Sequence, residues 1–322
     1  MRYFVVVCGP TGAGKTSLVS ATLAKLGLPA DVPMERFVID DVIENHPVYK
    51  ERVRAAIAQM GCGAAGEEGG EEKEECLRAA LTRPRTETVK LFTDAYFDTR
   101  KRTRPCVSAG PPVSCDEMLD ARMRAAAAAA ATERTSKVAV FESTGESVPG
   151  WLFEPEFIPE DMQIVVAYSF ARMDVLMERN RSRAYAQMSA FLADPDHRAA
   201  PRLPDLSEDV YPAKVRLIAA TCAKLVEDCV HHRAPACGSR PVGRVLVFDN
   251  SGPQQTLKYD SLSSHQSPDA VIRRILTGSK GGGRKRKPGR RRTARDFRRV
   301  KKRKEGGKRP WLVGSARTIR TR

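Results

Sequence analysis

The chain has 322 residues, of which 55 are Lys or Arg and 39 are Asp or Glu, for a formal net charge of +16. The charge is uneven: residues 279–322 hold 20 basic and 2 acidic side chains, which leaves 35 basic and 37 acidic in 1–278. A near-neutral globular part with a basic tail excludes a uniformly polycationic protein, and the lack of an apolar run of about 18 residues excludes a transmembrane helix.

The first element is the apolar run Tyr3–Cys8, read as a buried strand. It starts so close to Met1 that no signal peptide is expected, and eight cysteines in an intracellular chain are expected to be free thiols in a reducing compartment. Directly behind the run stand Gly9, Pro10, Thr11, Gly12, Ala13, Gly14, Lys15 and Thr16, the pattern G-x-x-x-x-G-K-[ST]. The glycines let the backbone turn tightly and bring its N–H groups against phosphate oxygens. Lys15 adds a point charge toward the β- and γ-phosphates, and Thr16 offers a hydroxyl to Mg²⁺. Ser17 opens a helix to Leu26 whose positive end faces the same phosphates. ATP and Mg²⁺ are the cofactors this loop calls for.

Further along, Arg36–Asp40 reads as a strand ending in the pair Asp40-Asp41. Residues 61–75, rich in Gly and Glu, read as a solvated acidic loop, and 99–114, with Arg and Pro, as a second loop. Asp116–Arg134, with seven alanines in a row from Ala125 to Ala131, reads as a helix, and Lys137–Phe141 and Gln163–Tyr168 as buried strands. Met173–Gln187 and Tyr211–Val230 read as helices, Gly243–Asp249 as a fifth strand and Asp269–Leu276 as a closing helix. Cys222 and Cys229, seven apart, fit one core face, and Cys229, His231, His232 and Cys237 match no zinc spacing. Apolar strands alternating with helices imply a parallel sheet covered on both faces, with ligands beyond its carboxyl edge.

That edge gathers the candidate catalytic groups. Asp40 or Asp41 can accept the proton of an attacking hydroxyl, although either also suits a helix start. Glu142, in Glu142-Ser-Thr-Gly145, is a candidate metal-shell residue. Arg172, Arg179 and Arg183 fall near one helical face with Arg181 off it, and a guanidinium there can neutralise a transferring phosphoryl group.

Taken together, Gly9–Thr16, Val38-Ile-Asp40 with His46-Pro47 six residues on and Tyr49 behind, Glu142-Ser-Thr-Gly145, and Val165-Val-Ala with a helix carrying Glu178-Arg179 resemble the zeta toxin group of P-loop kinases. The likeness spans roughly residues 1–260. It implies a three-layer α/β/α P-loop NTPase sandwich with a mainly parallel sheet, and a kinase that moves the ATP γ-phosphate onto a hydroxyl, with nucleotide sugars such as UDP-N-acetylglucosamine as acceptors. On that template Lys15 and Arg179 act with Asp40 as the base, Gly9–Ser17 hold the nucleotide, and Thr16 and Glu142 serve the metal. Asp41, Glu142, Thr144 and Arg183 face the acceptor. Here the pair is Asp40-Asp41 with Val38 in the earlier slot where the family has Asp-x-Asp, so the base is either aspartate. Arg183, Arg198 and Arg202 compete for a second lid arginine.

The organisation expected is a kinase domain over 1–278 and a disordered basic tail over 279–322. The basic clusters 284–287 and 298–304 read as a bipartite nuclear-import signal or a non-specific nucleic-acid tether, which places the chain in the cytoplasm or nucleus. Two other functions fit the sequence: a nucleoside or polynucleotide kinase whose tail delivers the substrate, and a nucleic-acid-binding protein that uses ATP only as a switch.

Overall fold

The computed structural model describes residues 2–62, 70–82, 86–101, 138–147, 150–153, 158, 161–231 and 242–278, together with 114, 115, 117–119 and 121–123. The strands are β1 (Arg2–Cys8), β2 (Met34–Val38), β3 (Val138–Glu142), β4 (Met162–Phe170), β5 (Arg244–Asp249) and β6 (Thr256–Asp260). The helices are α1 (Lys15–Lys25), α2 (Ile39–Glu44), α3 (Pro47–Gln59), α4 (Gly70–Thr82), α5 (Thr86–Lys101), α6 (Met173–Ala193), α7 (Val210–Leu225) and α8 (Pro268–Thr277). A π-helical turn, Val226–His231, prolongs α7.

The six strands form one sheet in the order β2-β3-β1-β4-β5-β6. All neighbours run parallel except β5 and β6. Alternate residues of the apolar runs feed opposite faces, which is why the runs show no polar alternation. Val5, Val7, Val140, Val165 and Leu246 pack with Leu18, Val19 and Leu23 of α1. Phe4, Val6, Ala139, Ile164, Val166 and Val247 pack with Ile218, Cys222 and Leu225 of α7 and Val271, Ile272 and Ile275 of α8. The fold is thus the expected three-layer α/β/α sandwich with a mainly parallel sheet.

A third apolar cluster lies apart from these two. It joins Ile43 of α2, Tyr49, Val53 and Ile57 of α3, Leu77 and Leu81 of α4, Val89, Phe92 and Tyr96 of α5, and Ala184, Met188 and Phe191 of α6. Sequence periodicity had not picked out α3, α4 or α5. Residues 70–75 belong to α4 and not to a loop: Glu74 and Glu75 are exposed while Leu77 and Leu81 of the same helix face the core. Likewise Thr99–Lys101 close α5; residues 102–113 of the second expected loop lie outside the described residues, as do most of the alanine-rich helix and the whole tail. β6 was missed because it is a short, half-exposed edge strand with Lys258 at its centre.

The cysteines correct a further expectation. A disulfide joins Cys62, just past α3, to Cys76 of α4, and Cys115 and Cys229 are also disulfide-bonded. Cys8 and Cys222 are free and buried. Among the described cysteines free thiols therefore describe only those two, and the argument from thiols to a reducing compartment lapses. No helix among the described residues is long and apolar enough to cross a membrane.

Candidate active site

β1 is central, flanked by β3 on one side and β4 on the other; the chain runs from β1 to β2 beyond β3, and from β3 across to β4 on the other side, so a crevice opens at the carboxyl end of β1. Gly9–Gly14 fill that point. Gly12 and Gly14 adopt φ of 84° and 77°, the left-handed region. A Cβ on Gly12 would lie 2.6 Å from the Asn180 amide nitrogen, and one on Gly14 would lie 2.2 Å from that of Asn250. Glycine is thus required by conformation and by close approach.

The loop's carbonyls are turned into the protein. Asn180 Nδ2 donates to Thr11 O at 2.8 Å, and the Tyr211 hydroxyl donates to the same oxygen. Ser169 Oγ and Asn250 Nδ2 donate to Ala13 O at 2.6 and 2.9 Å, and Gln255 Nε2 donates to Gly14 O at 2.9 Å. The amides of Gly12, Gly14, Lys15 and Thr16 find no acceptor among the described residues. Together with the first turn of α1, they form an amide-lined hollow suited to an anion.

Beside the hollow lies a cavity of about 370 Å³. Lys15, Asp40, Glu142, Thr144, Arg183 and Arg202 line it, with Phe92, Tyr96, Phe97 and Phe141 as its aromatic part. Asp40 sits in the first turn of α2, which favours its negative charge. Its carboxylate accepts the Tyr96 hydroxyl at 2.5 Å and pairs with Arg202, whose guanidinium lies 4.6 Å over the Tyr96 ring. Burial alone would raise the Asp40 carboxyl; Arg202, Tyr96 and Lys15 outweigh it and hold the group below the usual carboxylate range. Burial depresses the Lys15 ammonium below its ordinary value against the pull of Asp40 and Glu142, and the nearby guanidiniums of Arg202 and Arg183 depress it further. Three cations crowded in a desolvated space would be relieved by a polyanion.

No protein-family model and no curated protein matches the chain. Among solved structures it is similar to a chain from the PezAT chromosomal toxin–antitoxin system of Streptococcus pneumoniae, at 12% identity and a TM-score of 0.46, covering 87% of this chain and 80% of that one. It is also similar to a chain assigned as a kinase from Chloroflexus aurantiacus, at 15% identity and a TM-score of 0.31, covering 85% of this chain and 98% of that one.

Of the residues expected from the sequence, Pro10, Thr11, Lys15, Asp40, Glu142, Thr144 and Arg183 come together around the cavity. The strand expected to end at Asp40 stops at Val38, so both aspartates are helical residues. Asp41 is exposed and does not line the cavity; partial burial and the neighbouring Glu142 raise its carboxyl. Arg179 also stays outside, its Nη1 donating to Asn250 O at 2.8 Å. Glu142 pairs with Arg36 of β2, and Ser17 turns its hydroxyl to Gly14 O at 3.0 Å. Thr144 O accepts the Gly9 amide at 3.2 Å. Gly145 completes that contact: its φ is 79°, and a Cβ there would lie 2.9 Å from Cys8 Cβ.

His46-Pro47 caps a helix: His46 Nδ1 accepts the Val48 amide at 3.3 Å and Pro47 opens α3. Tyr49, behind it, donates to Pro201 O at 3.1 Å, and Glu44 O accepts the Ala200 amide at 2.7 Å. These two bonds hold the segment that delivers Arg202 to Asp40. Sequence reasoning missed Tyr96, Asn180, Tyr211, Asn250, Ser169 and Gln255. One signal was available: a mid-helix asparagine such as Asn180 is locally unfavourable and asks for a tertiary reason.

For a metal, Thr16 is exposed at the head of α1 and Glu142 lies at the neighbouring strand end. Hydroxyl and carboxylate oxygens are the donors a hard cation takes. The described residues contain no cluster of three or more His, Cys, Asp or Glu that could hold a metal. A Mg²⁺ there fits as an ion carried mainly by phosphate oxygens and water.

Proposed function

We propose that the chain is an ATP-dependent kinase that phosphorylates a hydroxyl of a small molecule bound in the cavity. The observation that carries this reading is the placement of Asp40, Lys15, Arg183 and Arg202 on one cavity beside an amide-lined hollow. In the reaction the acceptor oxygen attacks Pγ, the Pγ–O bond to ADP breaks, and the acceptor proton passes to Asp40. Lys15 and the loop amides hold the phosphates, and Arg183 and Arg202 neutralise the moving group, which is mostly an electrostatic task. Thr16 and Glu142 are the residues that would hold a Mg²⁺, which would supply neutralisation of phosphate charge. Each Asp40 oxygen already has one partner, Tyr96 or Arg202, and keeps a further lone pair that can accept the acceptor hydroxyl.

Among acceptors we favour a nucleotide sugar such as UDP-N-acetylglucosamine, as the zeta toxin resemblance implies. The aromatic residues Phe92, Phe97 and Phe141 and the cations Arg100 and Lys214 support an acceptor with a ring and negative charge. We further assign residues 1–278 to the kinase domain and 279–322 to a tail that serves as a nuclear address or nucleic-acid tether. The test is incubation with labelled ATP and a panel of nucleotide sugars, nucleosides and oligonucleotides, with and without residues 279–322. Labelling of a nucleotide sugar by both forms supports the reading. Labelling of oligonucleotides only with the tail present would favour a polynucleotide kinase, and ATP binding with no labelled acceptor would favour an ATP-gated binding protein.

A further inference from the structure

We infer that Asn180 of α6 and Tyr211 of α7 are positioning residues that fix the Thr11–Gly12 peptide plane, so that the Gly12 N–H faces the nucleotide phosphates. The inference rests on the nucleotide-binding part of the reading above.

A peptide unit is planar and trans, so its C=O and N–H point in opposite directions. Whatever holds a carbonyl also aims the next residue's amide. Thr11 O is held by Asn180 and Tyr211, which aims the Gly12 amide away from them; Ala13 O is held by Ser169 and Asn250, which aims Gly14. Gly14 O, held by Gln255, aims Lys15. Three peptide planes are set by side chains from four separate segments. Glycine permits that conformation but does not select it, since Gly12 is free to adopt many others. Selection has to come from the tethers.

Two features mark the Asn180–Tyr211 pair. Asn180 is fully buried, and its Nδ2 serves Thr11 O, Leu176 O and the Tyr211 hydroxyl at 2.8, 2.8 and 3.0 Å. Its Oδ1 is buried without a partner, as is Oε1 of Gln255, the other carboxamide on the loop. A buried acceptor left unpaired is unfavourable. Turning the amide over would set an oxygen against two carbonyls, so the loop dictates the orientation. Tyr211 is 3% exposed, yet it lines the cavity and touches Thr11 from 200 residues away. A fold needing only an apolar filler there would use Phe.

The experiment compares the full-length chain with Tyr211→Phe and with Asn180→Asp, which keeps the shape and loses the donor. Mg·ATP affinity is measured by calorimetric titration, the melting temperature without nucleotide by circular dichroism, and the Gly12 amide resonance in [¹⁵N]glycine-labelled protein. We expect Tyr211→Phe to weaken Mg·ATP binding about five- to tenfold, the loss of one hydrogen bond. Its nucleotide-free melting temperature stays within about 2 °C, and the ATP-induced shift of the Gly12 resonance shrinks. Asn180→Asp, folded by the same measure, weakens binding further. Unchanged affinity and an unchanged Gly12 shift in both folded variants would overturn the inference, as would a fall in melting temperature with no change in affinity. If the unaltered chain itself binds no Mg·ATP, the kinase reading fails first, and that outcome is distinct from equal binding by all three proteins.

Discussion

The two sides of the cavity are built differently. The phosphate side is eight contiguous residues running from a strand into a helix, with the Thr11, Ala13 and Gly14 carbonyls held by side-chain hydrogen bonds. The acceptor side is assembled from α2, α5, α6 and the 200–205 segment, whose chain positions are remote and whose cohesion is mainly apolar. The phosphate side is specified by backbone geometry, which tolerates little change. The acceptor side is specified by packing, which can change its lining and keep its shape. On the proposed kinase function, that contrast pairs a fixed phosphate-binding geometry with an adaptable acceptor wall.

The comparison can be broken most sharply at Asp40. Asp40→Asn should keep Mg·ATP binding and lower phosphoryl transfer by about 10²- to 10⁴-fold, measured with labelled ATP and the acceptor found in the panel. Arg202 then loses its carboxylate; the pair is partly exposed, so the accompanying stability loss is about 1–3 kcal/mol by urea denaturation, below that of a fully buried pair. Full turnover in this variant would remove Asp40 from the mechanism.

Lys15→Met belongs wholly to the phosphate side and should weaken Mg·ATP binding at least about a hundredfold with the fold retained. The unaltered chain offers a pH version of the same test. Because burial depresses the Lys15 ammonium, the free protein loses that proton at lower pH than an ordinary lysine. Bound phosphate favours the protonated form. Affinity should therefore decline with rising pH before ordinary lysines titrate, and it should not in Lys15→Arg.

Phe97→Ala sharpens the acceptor half. It should raise the acceptor KM roughly tenfold and leave Mg·ATP affinity unchanged, since Phe97 lines the cavity and is 46% exposed. A matching loss of ATP affinity would mean that the two sides are one. Smaller still is Arg179→Ala: its guanidinium holds the Asn250 carbonyl outside the cavity, so kcat should stay within about threefold while the melting temperature falls a few degrees. A hundredfold loss of kcat would restore Arg179 to the reacting phosphate.

The mildest test concerns Glu44, whose carboxyl burial pushes up to about 7 with Asp40 adding to the rise and Arg202 opposing it. The folded protein favours its neutral form. Its contribution is present in acid and is lost as pH rises from the ordinary carboxylate range through about 7. Glu44→Gln should therefore melt a few degrees higher than the unaltered chain at pH 8 and at nearly the same temperature at pH 5. Equal shifts at both pH values would exclude titration as the cause.

The sheet and the phosphate loop were legible because their signals are local. An unbroken apolar run marks a doubly covered strand, and an eight-residue pattern marks a loop whose function is in its own backbone. The helical layer was less legible: α4 hides behind a glutamate-rich stretch that looks like solvated chain until Leu77 and Leu81 are seen to be buried. His46-Pro47, legible in the sequence only as part of a family resemblance, is a helix cap. The cysteine reading failed because spacing alone does not say whether Cys62 and Cys76 meet.

By itself the sequence determined a parallel sheet, a phosphate hollow at the end of its first strand, and a carboxylate pair near that edge. These depend on neighbours within a few residues, where chain geometry leaves little choice. Only the tertiary structure decided that Asp40 and not Asp41 lines the cavity, that Tyr96 and Arg202 hold it, and that Asn180 and Tyr211 bond the Thr11 carbonyl. Those partners lie between 56 and 200 residues apart in the chain. At such separations position is set by how helices pack, and the identity of one residue carries no record of which other it will meet.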